Sequence, residues 1–212
     1  MKQYPNFISF EGIDFSGKST QVELLIARMK ELKIPVHLMR EPGDTVISEK
    51  VRQILLDKSH REMHPRTEIL LYSAARSQLT HQKILPLLES GEYLIVDRFF
   101  DSTTAYQGYG RNLDISFVEM LNRFATSGLL PYKTYFIDIS AEEAIRRREA
   151  AERKSDRLES ESIRFYREIR QAYQRIAREF PERFITIPGE KPVDELSAII
   201  RKKVAETWKI NL

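Results

Sequence analysis

The stretch FISFEGIDFSGKSTQ near the start of the chain constrains the fold more than any other part of the sequence. An apolar run at 7–10 precedes two glycines, Gly12 and Gly17, and an amphipathic segment begins at Lys18. Gly12 to Ser19 fits the pattern G-x-x-x-x-G-K-[ST], whose backbone N–H groups cradle phosphates at the start of a helix. Strand, loop and helix in this order are the context that the pattern requires, so the sequence predicts a nucleotide-binding α/β domain.

The loop residues predict where a nucleoside triphosphate binds. We expect Lys18 to reach the β- and γ-phosphates and the Ser19 hydroxyl to bind Mg²⁺, which makes ATP and Mg²⁺ the expected ligands. The predicted ATP phosphate loop comprises Gly12, Ile13, Asp14, Phe15, Ser16, Gly17, Lys18, Ser19 and Thr20. The same pattern serves ATPases, GTPases, kinases and nucleic-acid motors, so by itself it leaves the phosphoryl acceptor open.

Alternating short apolar runs and long amphipathic segments predict the rest of the fold. The strands are expected at 7–10, 36–39, 93–96, 134–139 and 184–187, and the helices near 18–33, 46–57, 66–89, 114–127, 141–151, 160–179 and 192–208. Strands separated by helices imply one five-stranded parallel sheet flanked by helices. No linker or repeat divides the chain, so we expect one domain over residues 1–212.

Composition restricts the classes of partner. The chain has no cysteine, no apolar run of membrane-spanning length and no signal-peptide pattern, so we expect a cytoplasmic protein that binds no membrane. Its net charge of +3 is modest, and acidic residues are mixed with the arginines of its most basic stretch. This pattern favours small anionic ligands over nucleic acid.

Polar residues follow the third predicted strand, at the edge of the sheet where ligands bind in such folds. Asp97 is placed to order Mg²⁺, and Arg98 offers a guanidinium to a phosphate. An ion pair at a strand end is the alternative for these two residues. The stretch DSTTAYQGYGR then supplies hydroxyls, an amide, two tyrosines and Arg111, which suits a polar ring and a phosphate better than a core.

Two further segments offer ligand contacts. Arg40 follows the second strand in MREPGDT, although an ordinary turn with a surface ion pair explains it equally well. Tyr72 and Arg76 stand four residues apart, on one face of a predicted helix. They can stack on a base and bond its edge, while core packing and surface exposure form the common alternative for this spacing.

Taken together and in this order, the motifs resemble those of the thymidylate kinase family. The resemblance rests on EGIDFSGKST, REPGDT, LLYSAAR, DRFFDSTTAYQGYGR and DRLE, and it covers roughly residues 7–160. It implies a P-loop nucleoside monophosphate kinase fold with a basic lid at about 146–160. It also implies transfer of the γ-phosphoryl group of ATP to dTMP, which gives dTDP and ADP, and a homodimer.

The resemblance assigns roles to single residues. Asp14 is expected to accept a hydrogen bond from the sugar 3′-hydroxyl of dTMP, while Arg40 and Arg98 hold its phosphate. Tyr72 is expected to stack on thymine and Arg76 to bond its O4. The remaining predicted pocket residues are Thr103, Gln107 and Tyr106, and Tyr106 lies against the sugar 2′ carbon, where it excludes ribose.

The sequence departs from the family pattern at three positions. Asp44 replaces a glycine of the family pattern and brings negative charge near a phosphate site. Tyr72 replaces the usual phenylalanine. Phe15 stands where one branch of the family has a loop arginine. Charge on the transferred phosphoryl group must then come from the lid arginines, which we rank as Arg153, then Arg148 and Arg157; a solvated helix is the alternative for this stretch.

Two other functions remain open at this point. The chain can be a kinase for another monophosphate or for a deoxynucleoside on the same fold. It can also be a nucleotide-dependent switch or nucleic-acid ATPase, a class that hydrolyses nucleotide without an acceptor. The four histidines lack ligand-like spacing, and we assign them no role.

Overall fold

A parallel five-stranded sheet forms the centre of the protein. The computed structural model describes residues 2–151 and 156–212. The strands are β1 (Lys2–Glu11), β2 (Val36–Arg40), β3 (Tyr93–Asp97), β4 (Leu129–Asp138) and β5 (Phe184–Pro188), and their order across the sheet is β2-β3-β1-β4-β5. Since all pairings are parallel, the carboxyl ends of the strands meet at one edge.

Helices cover both faces of this sheet. They are α1 (Lys18–Glu31), α2 (Val46–Leu56), α3 (Pro65–Leu79), α4 (Leu85–Glu89), α5 (Phe100–Thr103), α6 (Ile115–Ala125), α7 (Ala141–Ala150), α8 (Ile163–Glu179) and α9 (Val193–Trp208). Wider π-helical turns connect α3 to α4 (Thr80–Ile84) and extend α5 (Thr104–Gly110). No helix in the described ranges combines the length and apolar composition needed to cross a membrane.

Alternation along β1 distributes the core between the two faces. Ile8 and Phe10 pack with α1 and α9, whereas Phe7 packs with the apolar side chains of the other face, including Leu79 and Leu88. Residues 7–10 are fully buried, as expected for a central parallel strand covered on both sides. The predicted fold class is therefore confirmed.

Strand β1 begins at Lys2 and β4 at Leu129, earlier than the expected 7 and 134, and the structure differs from the prediction in two further segments. The helix expected at 66–89 is interrupted by the π-helical turn Thr80–Ile84, and DSTTAYQGYGR, for which no helix was predicted, is largely helical. Gly110 explains part of the second difference. A Cβ at that position would lie 2.4 Å from Ile169 Cδ1, so glycine allows this segment to pack directly against α8.

Candidate active site

The loop after β1 is shaped to bind an anion. Gly12 has φ of 150° and Gly17 has φ of 87°, and a Cβ on Gly12 would lie 2.7 Å from the Ile137 carbonyl oxygen. The first turn of α1 contains no acidic residue, and the Gly17 position before it provides no side-chain cap. The backbone N–H groups at this helix start are thus available to phosphate oxygens.

Lys18, Ser19 and Asp97 meet between the loop and the end of β3. The Ser19 hydroxyl donates to Asp97 Oδ2 at 2.5 Å. Asp97 Oδ1 is buried and has no hydrogen-bond partner among the described residues. Burial and then the charge of Arg98 lower the pKa of Lys18, while Asp97 and Asp14 oppose this change. Burial disfavours the charged form of an ammonium group, and a nearby negative charge favours it. The Lys18 ammonium is therefore suited to bind a polyphosphate.

Arg98 and Asp14 form an ion pair across the cleft. Arg98 Nη2 lies 2.5 Å from Asp14 Oδ1, and the Tyr106 hydroxyl donates to Asp14 Oδ2 at 2.9 Å. Burial raises the pKa of Asp14, but the charges of Arg98 and Lys18 and the Tyr106 bond outweigh it, so the pKa lies below its ordinary value. Asp14 is therefore an ionised carboxylate at neutral pH.

Arg76 is buried at one end of the cleft and is held on several sides. Its Nε donates to Glu41 Oε2 at 2.6 Å, its Nη1 to Thr103 at 2.9 Å and to Asn122 at 3.3 Å, and its Nη2 to the Phe99 carbonyl oxygen at 3.2 Å. A guanidinium has five N–H groups, and these four bonds leave one on Nη2 for a ligand. Glu41, the carboxylate that holds the Arg76 guanidinium in place, was not identified from the sequence.

Arg40 lies at the end of β2, and its side chain is about half exposed (48%). Its Nη2 donates to Glu49 Oε1 at 2.9 Å. Asp44, which has φ of 64°, accepts a hydrogen bond from the backbone N–H of Arg40. The extra carboxylate of the REPGDT turn is thus directed at its own backbone, which reduces its repulsion toward a bound phosphate.

The far side of the cleft is formed by Tyr72 and Gln107. Gln107 Nε2 donates to Glu68 Oε1 at 2.8 Å, and Glu68 also pairs with Arg111 at 3.3 Å and with Arg157 at 2.6 Å. Burial and the charge of Glu68 raise the pKa of the Tyr72 phenol, so this ring stays neutral. An uncharged aromatic ring can stack on a base.

These residues line one cavity of about 560 Å³. It brings together predicted residues from both parts of the site: Asp14, Phe15, Gly17, Lys18, Ser19, Thr20, Arg40, Tyr72, Arg76, Asp97, Arg98, Thr103, Tyr106 and Gln107. Three predicted loop residues, Gly12, Ile13 and Ser16, form the loop without lining the cavity, and the last two are buried. The loop after β1 and a second group of polar and aromatic residues therefore share a single cleft.

Comparison with known proteins identifies the family. The family model described as "Thymidylate kinase" matches residues 10–200. The chain is 48% identical over 203 residues to a thymidylate kinase of Caldanaerobacter subterraneus subsp. tengcongensis, with 96% of each chain covered, and 42% identical over 210 residues to one of Chlorobium luteolum, with 95% of this chain and 98% of the relative covered. The chain belongs to the thymidylate kinase family.

A solved structure agrees with this assignment. The crystal structure of thymidylate kinase from Ehrlichia chaffeensis superimposes with a TM-score of 0.76 at 31% identity, covering 96% of this chain and 99% of that one. The reaction of the family is the phosphorylation of dTMP to dTDP with ATP as co-substrate. The chain is accordingly a kinase with the P-loop nucleoside monophosphate kinase fold.

The lid arginines expected in a thymidylate kinase of this type have different surroundings. Arg148 Nη1 donates to the carbonyl oxygens of Glu159 at 2.9 Å and Glu161 at 3.0 Å. Arg157 bonds the Leu55 carbonyl oxygen at 2.8 Å in addition to Glu68. Both are thus engaged in holding the protein together. The first-ranked Arg153, with its neighbour Lys154, lies outside the described residues.

Sequence reasoning gave no role to Arg147, which contacts the loop after β1. Its Nη1 donates to the carbonyl oxygens of Phe15 at 3.3 Å and Ser16 at 3.1 Å, and its Nη2 to that of Gly189 at 3.0 Å. Glu143, one turn earlier on α7, accepts from Nε at 2.6 Å. Only the i,i+4 spacing of this Glu and Arg was visible in the sequence.

A group beneath Arg98 was also missed. Glu11, fully buried at the end of β1, accepts bonds from the Phe99 N–H at 2.7 Å, the Ser102 hydroxyl at 2.7 Å and the Tyr173 hydroxyl at 2.8 Å. Burial and then the charge of Asp101 raise the pKa of Glu11 to about 7. A carboxylate directly after the mostly apolar run at 7–10 was the available signal in the sequence.

Proposed function

We propose that this chain transfers the γ-phosphoryl group of ATP to dTMP with the assistance of Mg²⁺, and that the residues of the shared cleft divide the work. The observation that supports the assignment is the juxtaposition within one cavity of about 560 Å³. Its phosphate loop faces a pocket that carries an ionised carboxylate, Asp14, and the arginines Arg40, Arg76 and Arg98. A site for hydrolysis alone needs no such pocket.

The donor side is assigned to the loop and the end of β3. Lys18 and the loop N–H groups hold the β- and γ-phosphates of ATP. The hard oxygen atoms of Ser19 and Asp97 suit Mg²⁺, and the buried Asp97 Oδ1, which lacks a described partner, is free to take part. Ser19 and Asp97 would hold Mg²⁺, which would supply charge that offsets that of the phosphoryl oxygens.

A metal held mainly by phosphates fits the rest of the structure. In the described part of the chain, no group of three or more His, Cys, Asp or Glu side chains could hold a metal ion. Mg²⁺ commonly binds through one or two carboxylates together with substrate phosphates and water. The Ser19 hydroxyl and the Asp97 carboxylate are consistent with this mode of Mg²⁺ binding.

The acceptor side is assigned to the residues across the cleft. Arg98 and Arg40 hold the phosphate of dTMP, and Asp14 accepts from the 3′-hydroxyl. Tyr72 stacks on thymine, and Arg76 donates its remaining N–H to O4. The other pocket residues are Thr103, Gln107 and Tyr106, with the Tyr106 ring against the 2′ carbon.

Phosphoryl transfer in this cleft requires alignment and charge more than proton transfer. The attacking oxygen belongs to a phosphate monoester whose second pKa is about 6, so it is largely ionised at pH 7. No side chain has to act as a general base. The arginines and Lys18 hold the two phosphates in line and stabilise the charge of a loose transition state.

The lid at about 146–160 is assigned the closing role, within a single kinase domain of residues 1–212. Arg153 stays the first choice for catalytic charge because Arg148 and Arg157 are occupied in structural bonds. Arg153→Ala should lower kcat more than it raises KM, and the opposite pattern would move the catalytic charge elsewhere. The cytoplasmic location stays a prediction.

Homodimer formation is supported by an exposed apolar surface on α2, α3 and α6, which pack in that order. Its exposed members include Phe124 at 79% and Val46 at 74%, and the others are Ile47, Ile54, Leu70, Phe117 and Met120. Apolar side chains this exposed on adjacent helices are typical of a covered face. Light scattering should give a dimer mass that Phe124→Asp halves and that Val193→Asp, at an exposed site on α9, leaves unchanged.

An acceptor panel tests the proposed function. ADP release from ATP is measured with dTMP, dUMP, dCMP, dGMP and thymidine in turn, and without an acceptor. The proposal expects dTMP to give the largest kcat/KM and the reaction without acceptor to be negligible. Preference for another acceptor would reassign the substrate, and turnover without acceptor that rises with DNA or RNA would indicate a nucleic-acid ATPase. Lys18→Met should abolish turnover, whereas Lys30→Met, at an exposed site on α1, should not.

A further inference from the structure

Tyr173 lies behind the acceptor side of the cleft. It is fully buried near the middle of α8, and its ring stacks on Phe136 with centroids 5.2 Å apart. Its hydroxyl oxygen lies 2.8 Å from Glu11 Oε2, 2.9 Å from Ser102 Oγ and 3.3 Å from Arg98 Nη1. Tyr173 itself does not line the cleft, and its ring contacts the Tyr106 ring at a centroid distance of 6.4 Å. Any effect of the Tyr173 hydroxyl on a ligand must therefore pass through one of its three partners.

Three oxygen atoms form a triangle under Arg98. Tyr173 and Ser102 contact each other, and each also contacts Glu11 Oε2. Arg98 Nη1 donates to the two hydroxyl oxygens, at 3.3 Å to Tyr173 and 3.0 Å to Ser102. Nη1 also donates to the Gly12 carbonyl oxygen at 2.8 Å. With Nη1 held by this oxygen and by the two hydroxyls, the planar guanidinium presents Nη2 to Asp14 and the open cleft.

We propose that Tyr173 is a positioning residue that orients the Arg98 guanidinium for the acceptor phosphate through the Glu11–Ser102–Tyr173 triangle. This inference rests on the proposed function, in which Arg98 binds the phosphate of dTMP. Tyr173 lies on α8, the helix that follows the lid in the sequence. The triangle therefore also connects this helix to the acceptor site. A planar donor fork is effective only when it is correctly oriented, so a buried hydroxyl can control it without touching the substrate.

Tyr173→Phe removes the hydroxyl and keeps the ring that packs on Phe136. We expect kcat/KM for dTMP to fall by about tenfold, the order of one hydrogen bond to a charged group. KM for ATP should change by less than about twofold, because the triangle has no contact with Lys18 or Ser19. Tyr135→Phe is the matched control, since its hydroxyl bonds the Lys203 carbonyl oxygen and Thr207, away from the cleft. It should keep both parameters.

A double-mutant cycle separates this inference from the proposed function. Arg98→Lys should lower kcat/KM for dTMP, and adding Tyr173→Phe to it should cost less than about twofold if Tyr173 acts through the guanidinium. If the effects of Arg98→Lys and Tyr173→Phe on kcat/KM are fully additive, or if Tyr173→Phe impairs the kinetics for dTMP and for ATP equally, the positioning role of Tyr173 is overturned. The role of Arg98 would still stand. If Arg98→Lys leaves dTMP kinetics unchanged, the proposed function of Arg98 fails, and the inference fails with it.

Folding is monitored by thermal unfolding of every variant. If Tyr173→Phe does not fold, Ser102→Ala removes another corner of the triangle while leaving Tyr173 in the core. It should lower kcat/KM for dTMP and spare KM for ATP in the same way. No selective effect on dTMP from Ser102→Ala would contradict the proposal.

Discussion

The proposed contact between Asp14 and the sugar of dTMP can be tested by changing both partners. Asp14 is partly exposed in the cleft (18%), and its two oxygens accept from Arg98 at 2.5 Å and from Tyr106 at 2.9 Å. A carboxylate oxygen accepts more than one hydrogen bond, so a sugar hydroxyl can bind without displacing either donor. Asp14→Ala removes the acceptor, and 3′-deoxy-dTMP removes the donor.

The size of the effect follows from the ionisation of Asp14. The nearby charges of Arg98 and Lys18 hold its pKa below the ordinary value against the effect of burial, so the carboxylate is charged at neutral pH. A hydrogen bond to a charged group contributes about 1.5–3 kcal/mol. In the unaltered chain, 3′-deoxy-dTMP should therefore have a kcat/KM about 10- to 150-fold lower than dTMP.

The assay compares the two acceptors within each protein. In Asp14→Ala the ratio of the two kcat/KM values should fall to about one, because neither acceptor has a partner for the 3′ position. Loss of the Asp14–Arg98 ion pair affects both acceptors equally and cancels in the ratio. An unchanged ratio in Asp14→Ala would refute the sugar contact. Asp194→Ala, at an exposed site on α9, should keep the full ratio, and KM for ATP should hardly change in either variant.

Three further outcomes are expected. Lys18→Met should abolish turnover while the free energy of unfolding measured in urea changes by less than about 1 kcal/mol; near-normal kcat would contradict the phosphate-loop assignment. Because the pKa values of Glu11 and Glu41 are both raised from 4.5 to about 7 in the fold, the free energy of unfolding should decrease as pH rises through this interval, and Glu11→Gln should remove the part of the decrease that Glu11 contributes, about 3 kcal/mol. Arg183→Leu removes the guanidinium that lies 2.5 Å from the buried Asp101 carboxylate, so the free energy of unfolding measured by thermal unfolding should fall by about 3–5 kcal/mol. Adding Asp101→Asn should restore much of this loss. A loss below about 1 kcal/mol would contradict this reasoning.

The sheet and the residues at its carboxyl edge were predictable because both depend on local signals. Apolar runs mark the strands, and polar motifs that follow the strands must meet at one edge of a parallel sheet. Asp97 ends β3, Arg98 follows it and Arg40 ends β2, and all three line the cleft. The predicted roles of these residues rest on the family pattern and stay predictions.

Other features depend on partners that are distant in sequence. Arg157 binds the Leu55 carbonyl oxygen, 102 residues away, and no residue type marks a carbonyl that will accept an arginine. Tyr173 reaches Glu11 across 162 residues, so its helical spacing showed only that it faces the core. The helical form of DSTTAYQGYGR was hidden because its glycines and polar side chains resemble a loop, and packing against α8 outweighs that preference.

Two arginines contact the phosphate loop, although Phe15 stands where one branch of the family has an arginine within the loop itself. Arg147 donates to the carbonyl oxygens of Phe15 and Ser16, and Arg98 donates to that of Gly12 at 2.8 Å. The C=O and N–H of a peptide unit point in opposite directions, so arginines that bind the loop carbonyls help to keep its N–H groups directed at the phosphates. These two cations therefore help to shape the loop, and Arg98 does so in addition to its proposed role at the acceptor phosphate. In the proposed mechanism, Lys18, a bound Mg²⁺ and the lid would balance the charge that develops at the γ-phosphoryl group.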